Sequence, residues 1–121
     1  MDYIEFNRRW LNAWSERDIS SLVHTYYHPN IAYRDPLVPD GLHGSEELEK
    51  HLVAVFSGPT TLFAPKVVWP HESGYFGVWI GTREGEAPLR GLDYCEMKDG
   101  KIIHNDLYVH QLKELPTESD Y

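Results

Sequence analysis

Three aspartates, Asp35, Asp93 and Asp106, fall on strand faces that otherwise carry apolar side chains, where an acid needs a reason to be. In "IAYRDPL" (31 to 37), alternation puts Ile31, Tyr33 and Asp35 on one side and Ala32 and Arg34 on the other. Pro36 disfavours helical dihedrals at Asp35, so the acid belongs to the strand. An acid facing a core must be paired, protonated or used. A plainer fate is that Asp35 turns outward and accepts hydrogen bonds from the following loop "PLVPDGLHG".

The other two acids belong to a hairpin. Asp99-Gly100 predicts a two-residue turn, which opposes Lys98 to Lys101. Counting outward pairs Met97 with Ile102, Cys95 with His104, Asp93 with Asp106 and Gly91 with Tyr108 on one face. Leu92, Tyr94, Ile103, Leu107 and Val109 fall on the other, with Arg90, Glu96 and Asn105 among them. Two opposed aspartates cannot both ionise cheaply, so one has a raised pKa or a cation sits between them. A neutral carboxyl can donate to a developing oxyanion while an ionised one abstracts a proton. Acids near sheet ends are also often simply solvated. Both faces carry much apolar surface, which a polar-studded cavity on the first and a subunit contact on the second would satisfy.

Trp10, Trp14, Tyr33, Trp79 and Tyr108 are candidates to line a pocket for a flat, ring-containing ligand, although a packed core would use the same residues. His24 and His28 have the spacing of a zinc pair, but no Glu motif and no third ligand accompany them, and no metal site is expected. Cys95 faces the expected cavity, where a lone cysteine is most simply packing.

These residues need a scaffold. Residues 2 to 17 place Phe6, Trp10 and Ala13/Trp14 at helical spacing. Asp18 then caps a second helix in "DISSLVHTYYHP", which stops before Pro29. After a strand at 31 to 36, "GSEELEKHLVAVFSGP" is a third helix, capped by Ser45 and ended by Gly58-Pro59. Segments 61 to 71, 75 to 84, 88 to 98 and 101 to 112 read as strands. Helices first and a strand meander after them imply an α+β fold with helices packed on one side of an antiparallel sheet. The expected domain covers 1 to 115, followed by a loose acidic tail, "PTESDY", at 116 to 121.

Composition narrows the partners. The 121 residues suit one domain, and 19 acids against 11 bases give a net charge of -8 with no basic cluster. Nucleic acid and anionic membranes would be repelled. A single cysteine excludes an internal disulfide, the acidic N-terminus does not resemble a signal peptide, and "LVAVF" is the longest clean apolar run. A cytoplasmic setting is expected.

The arrangement "FNRRWLNAWSERDISSLVHTYYHPNIAYRDPL…GLHGSEELEKHL" followed by "RGLDYCEMKDGKIIHNDLYVHQL" resembles the SnoaL-like branch of the nuclear transport factor 2-like superfamily. A helix ending in "W-x3-D", the "Y-x-D-P" strand, the next helix start and the final DG-turn hairpin carry the resemblance across nearly the whole chain. It implies a cone-shaped α+β barrel, its three N-terminal-half helices packed on the concave face of a curved antiparallel sheet around a ligand pocket. The superfamily includes polyketide cyclases, ketosteroid isomerase, epoxide hydrolases, dehydratases and non-catalytic binding modules.

Residue by residue, the resemblance makes Asp35 similar to the isomerase's general base and Asp93 similar to its oxyanion-hole acid, a neutral carboxyl well known as an example of pKa tuning. The tyrosine that completes that hole is replaced by Trp10, a weaker donor. Asp106 resembles the acid/base aspartate of the cyclases, whose partner histidine is replaced by Asp93 or supplied by His104. The epoxide hydrolase pattern would need Arg at Gly91, whereas Arg90 faces the other way. The implied enzyme takes a small apolar or aromatic carbonyl compound and abstracts a proton next to the carbonyl, as a cofactor-free cyclase or isomerase. The other reading is a non-catalytic ligand-binding or dimeric scaffold module, and in either case the outer sheet face is expected to form a homodimer.

Overall fold

The first amphipathic stretch forms α1 (Tyr3–Ser15) in the computed structural model, which describes residues 1–117. Asp2 caps α1, accepting from the Glu5 N–H at 3.1 Å, and the helix buries Trp10, Leu11, Ala13 and Trp14. Asp18 caps α2 as expected, but α2 spans only Ile19–Ser21 and opens into a π-helical turn over Leu22–Tyr26. Strand β1 (Tyr27–Asp35) therefore begins earlier than the sequence pattern suggests. Tyr27 is fully buried and pairs with Ile102, and that tertiary demand overrides the local helical periodicity. Pro29 falls where the β1 pairing skips from Tyr27 to Ala32, so its missing N–H costs no ladder bond.

Part of the expected loop is strand β2 (Val38–His43), joined to β1 by a two-residue turn at Pro36 and Leu37. Gly44 (φ 87) then starts α3 (Ser45–Val55), and no side chain, Ser45 included, caps it. Strands β3 (Leu62–His71), β4 (Gly74–Thr82), β5 (Leu89–Lys98) and β6 (Lys101–Gln111) follow as read from the sequence.

The six strands form one curved, unclosed sheet in the order β2-β1-β6-β5-β4-β3. It is mixed rather than antiparallel throughout, because β1 runs parallel to β6. The edge strands carry Pro39, Pro65 and Pro70, which discourage pairing with another chain. Helix α1 packs across β3 and β4, and α3 against β1 and β2, so the core lies between helices and sheet. Among the described residues no helix is long and apolar enough to cross a membrane. Residues 118–121 of the expected tail lie outside the described residues.

One irregularity decides what faces the interior. Asp99 (φ 54) and Gly100 (φ 75) make the expected turn, and Lys98 and Met97 meet Lys101 and Ile102. Ile103 is then an extra residue: Glu96 pairs with His104, Tyr94 with Asp106, and Asp93 with Leu107. This bulge reverses the facing of every later β6 residue. The expected opposition of Asp93 and Asp106 is therefore corrected, and Asp106, His104 and Tyr108 stand on the outer face while Asn105, Leu107 and Val109 point inward.

Candidate active site

A cavity of about 530 Å³ lies between the sheet and the helices, within the size range of small-molecule pockets. Its wall is mostly apolar, with Leu11, Phe56, Phe63, Leu107 and Val109 contributing, and it contains two carboxyls, Asp35 and Asp93.

Asp35 is 7 % exposed and shares its face with fully buried Ile31 and Tyr33, as the alternation of β1 requires. Its Oδ1 accepts from the Leu37 N–H at 2.8 Å and the Val38 N–H at 3.1 Å, which fixes the turn into β2. Its Oδ2 accepts from the Tyr33 hydroxyl at 2.6 Å and from His51 Nε2 at 2.8 Å, so the histidine proton sits on Nε2 when Asp35 is ionised. Four donors occupy the four lone-pair positions. Burial pushes this carboxyl up, but the bonds from His51, Tyr33 and Leu37 outweigh it and hold Asp35 below the ordinary carboxylate range. Tyr33, pushed far up by burial, stays a donor.

Asp93 is 3 % exposed and differs in kind. Oδ2 accepts from Trp79 Nε1 at 2.8 Å and Oδ1 from Asn105 Nδ2 at 2.9 Å, leaving one lone pair free on each oxygen. Tyr27 donates to Asn105 Oδ1 at 2.9 Å, which orients the amide so that its nitrogen meets Asp93. The indole of Trp79 can lie there because Gly91 on the neighbouring strand has no side chain where the ring passes. Burial raises Asp93 to about 7 despite its two donors, and the negative charge of Asp35 adds to the rise.

The third polar feature is a pair of donors. Trp10 Nε1 and Trp14 Nε1 are buried and meet no acceptor in hydrogen-bond geometry, although the Tyr27 hydroxyl is close enough to feel both. Both rings line the cavity. Buried donors without a full hydrogen bond are rare in a folded interior, which makes Trp10 and Trp14 candidates to donate to a ligand.

Of the residues singled out in the sequence, Asp35, Asp93, Trp10, Trp14, Tyr33 and Trp79 meet at this cavity. Asp106 lies on the opposite face, paired with Arg34 at 2.8 Å and His104 at 3.2 Å, and Tyr108 is exposed there. Burial of Cys95 pushes its thiol up, which suits packing. Sequence reasoning missed His51, although its place between Leu48 and Leu52 on the buried side of α3 was a signal. It also missed Asn105, which only the bulge turns inward.

Several solved structures share the fold. A steroid delta-isomerase from Pseudomonas aeruginosa is 20 % identical, with a TM-score of 0.69, 91 % of this chain and 80 % of that chain covered. A candidate polyketide cyclase from Sinorhizobium meliloti is 14 % identical, with a TM-score of 0.75 and coverage of 86 % and 94 %. An NTF2-like protein of unknown function from Burkholderia xenovorans is 20 % identical, with a TM-score of 0.70 and coverage of 96 % and 91 %. No curated protein matches the chain. The model of the SnoaL-like domain family matches residues 7–105, most of the chain and all the cavity's polar groups described above, and the protein belongs to that family.

Proposed function

We propose that the protein catalyses proton abstraction next to a carbonyl in a small apolar or aromatic compound, leading to isomerisation or intramolecular aldol cyclisation. Asp93 is the base and Asp35 a fixed anion beside it. The observation that carries this reading is the difference in free lone pairs: Asp35 has none left, and Asp93, on the cavity wall, keeps two. This reverses the roles that the resemblance to the isomerase suggests. A base poised near neutrality also best combines availability with driving force.

In the reaction, the C–H bond next to the carbonyl breaks, its proton passes to a free lone pair of Asp93, and the electron pair moves onto the carbonyl oxygen. Trp10 and Trp14 donate their unpartnered N–H groups to that enolate oxygen. Asp93 then returns the proton to another carbon, or the enolate carbon attacks a second carbonyl in the same molecule, whose electron pair moves onto its oxygen and takes the proton back from Asp93. These steps require neither metal nor organic cofactor. The outer sheet face, with Trp69 and Tyr108 more than half exposed, is the surface proposed for a homodimer, and light scattering in solution tests it.

Deuterium exchange tests the chemistry. 2-Tetralone incubated with the protein in deuterated buffer should lose its protons next to the carbonyl faster than in buffer alone, and Asp93→Asn should abolish the acceleration. Binding of ketones without accelerated exchange in any of them would instead favour a non-catalytic ligand-binding module.

A further inference from the structure

The cavity is charged asymmetrically. Its carboxyls lie at Asp35 and Asp93, while its other charged lining groups are two arginines, Arg17 and Arg83, both half-buried and both anchored to the segment just after α3. Arg17 follows α1 in a left-handed backbone conformation (φ 57), and its guanidinium donates to the carbonyls of Phe56 and, at 2.8 Å, Gly58. Arg83 follows β4, and its Nε donates to the buried Thr61 hydroxyl at 2.7 Å. Gly58 and Thr61 are three residues apart, so the Cα atoms of the residues that anchor the two guanidiniums are at most about 11 Å apart. Tying Arg17 to the C-terminal end of α3 is a structural use of that side chain. It nevertheless leaves three of its five N–H groups free, and Arg83 keeps four, with Glu86 3.6 Å from its Nη1 as the nearby acid.

Resting on the function proposed above, we infer that the substrate carries an anionic group, a carboxylate in the first instance, at the end remote from its reacting carbonyl. The carbonyl end enters the apolar depth beside Trp10 and Asp93, and Arg17 and Arg83 receive the anion. In a chain of net charge -8, two arginines lining an apolar cavity also counter the repulsion an anionic ligand would otherwise meet. Guanidinium groups suit this task because their planar donors match a carboxylate.

The test uses two probes, 4-(2-naphthyl)-4-oxobutanoate and its neutral primary amide, with affinity measured by titration calorimetry and exchange next to the ketone by NMR. The acid should bind about tenfold more tightly than the amide. That ratio should shrink in Arg83→Gln, recover only in part in Arg83→Lys, which restores the charge but not the planar donors, weaken as salt is raised, and grow in Glu86→Gln, which removes the competing acid. Equal binding of acid and amide, with exchange still dependent on Asp93, would overturn the anionic-substrate inference and leave the proposed chemistry standing. Absence of both binding and accelerated exchange would overturn both.

Discussion

His51 Nε2 lies 2.8 Å from Asp35 Oδ2, so a side chain of α3 fills the last acceptor position of a carboxylate on β1. The contact ties helix to sheet and makes Asp35 an anchor. Asp35→Asn should therefore behave as a stability variant. An amide in either orientation turns its NH₂ towards donors that now meet a carboxylate oxygen. The expected loss is about 2–4 kcal/mol in denaturant unfolding, with exchange activity reduced but present in the folded fraction. Complete loss of activity at full stability would return the role of base to Asp35.

Asp93 gives the opposite pattern. Its carboxyl is raised to about 7 in the folded protein, so between pH 4 and 7 the native state holds a proton that the unfolded chain releases. Stability from this group is present at low pH and falls as pH rises through 7, by roughly 4 kcal/mol in total. Asp35, held low, does the reverse, and its contribution disappears only as pH falls below the ordinary carboxylate value. Asp93→Asn should flatten the pH dependence of stability between 4 and 7, while its NH₂ group, which must face the Trp79 or the Asn105 donor, lowers stability at every pH. It should also lower exchange by about 10²-fold or more.

The same ionisation sets the rate. A base must be deprotonated to act, so kcat/KM for exchange should rise with pH and level off above an inflection near 7. A profile flat from pH 5 to 9 would exclude Asp93 as the base.

How much of this was legible in the sequence depended on whether the deciding force was local. Alternation in "IAYRD" placed Asp35 inward correctly, and Asp99-Gly100 placed the turn, because strand parity and left-handed turn residues act within a few positions. Ile103 was not legible as a bulge. Nothing in its side chain marks it, and the slip emerges only where β6 meets β5 on one side and β1 on the other. That single residue exchanged Asp106 for Asn105 in the cavity and moved His104 outside. Tyr27 was hidden in the same way, since its hydrogen bond to Asn105 spans the chain while its neighbours follow a helical pattern.

The indole donors can be removed while an aromatic ring is kept in the site. Trp10→Phe keeps an aromatic ring in the site but removes the N–H together with the rest of the five-membered ring of a fully buried side chain, so it should cost about 1–3 kcal/mol of stability. If that N–H stabilises the enolate, kcat should fall about tenfold or more while KM changes little. Trp14→Phe gives the parallel measurement. Unchanged kcat in both variants would remove the indoles from the mechanism.

Gly91 controls the base through Trp79. A methyl group on Gly91 would collide with the indole that donates to Asp93, so Gly91→Ala must displace the ring and break the 2.8 Å bond to Oδ2. Overpacking of this kind costs about 1–3 kcal/mol. The released carboxyl loses a donor that favours its ionised form, so the pH inflection for exchange should also move upward. Gly85→Ala is the control: its φ of 74 makes alanine mildly strained, but nothing lies within 4 Å of the added methyl and the cavity is untouched. It should cost about 1–2 kcal/mol and leave the inflection where it was. A shift in the pH profile confined to Gly91→Ala would tie the behaviour of Asp93 to the Trp79 hydrogen bond. Identical profiles for the two variants would mean that the Trp79 bond does not set it.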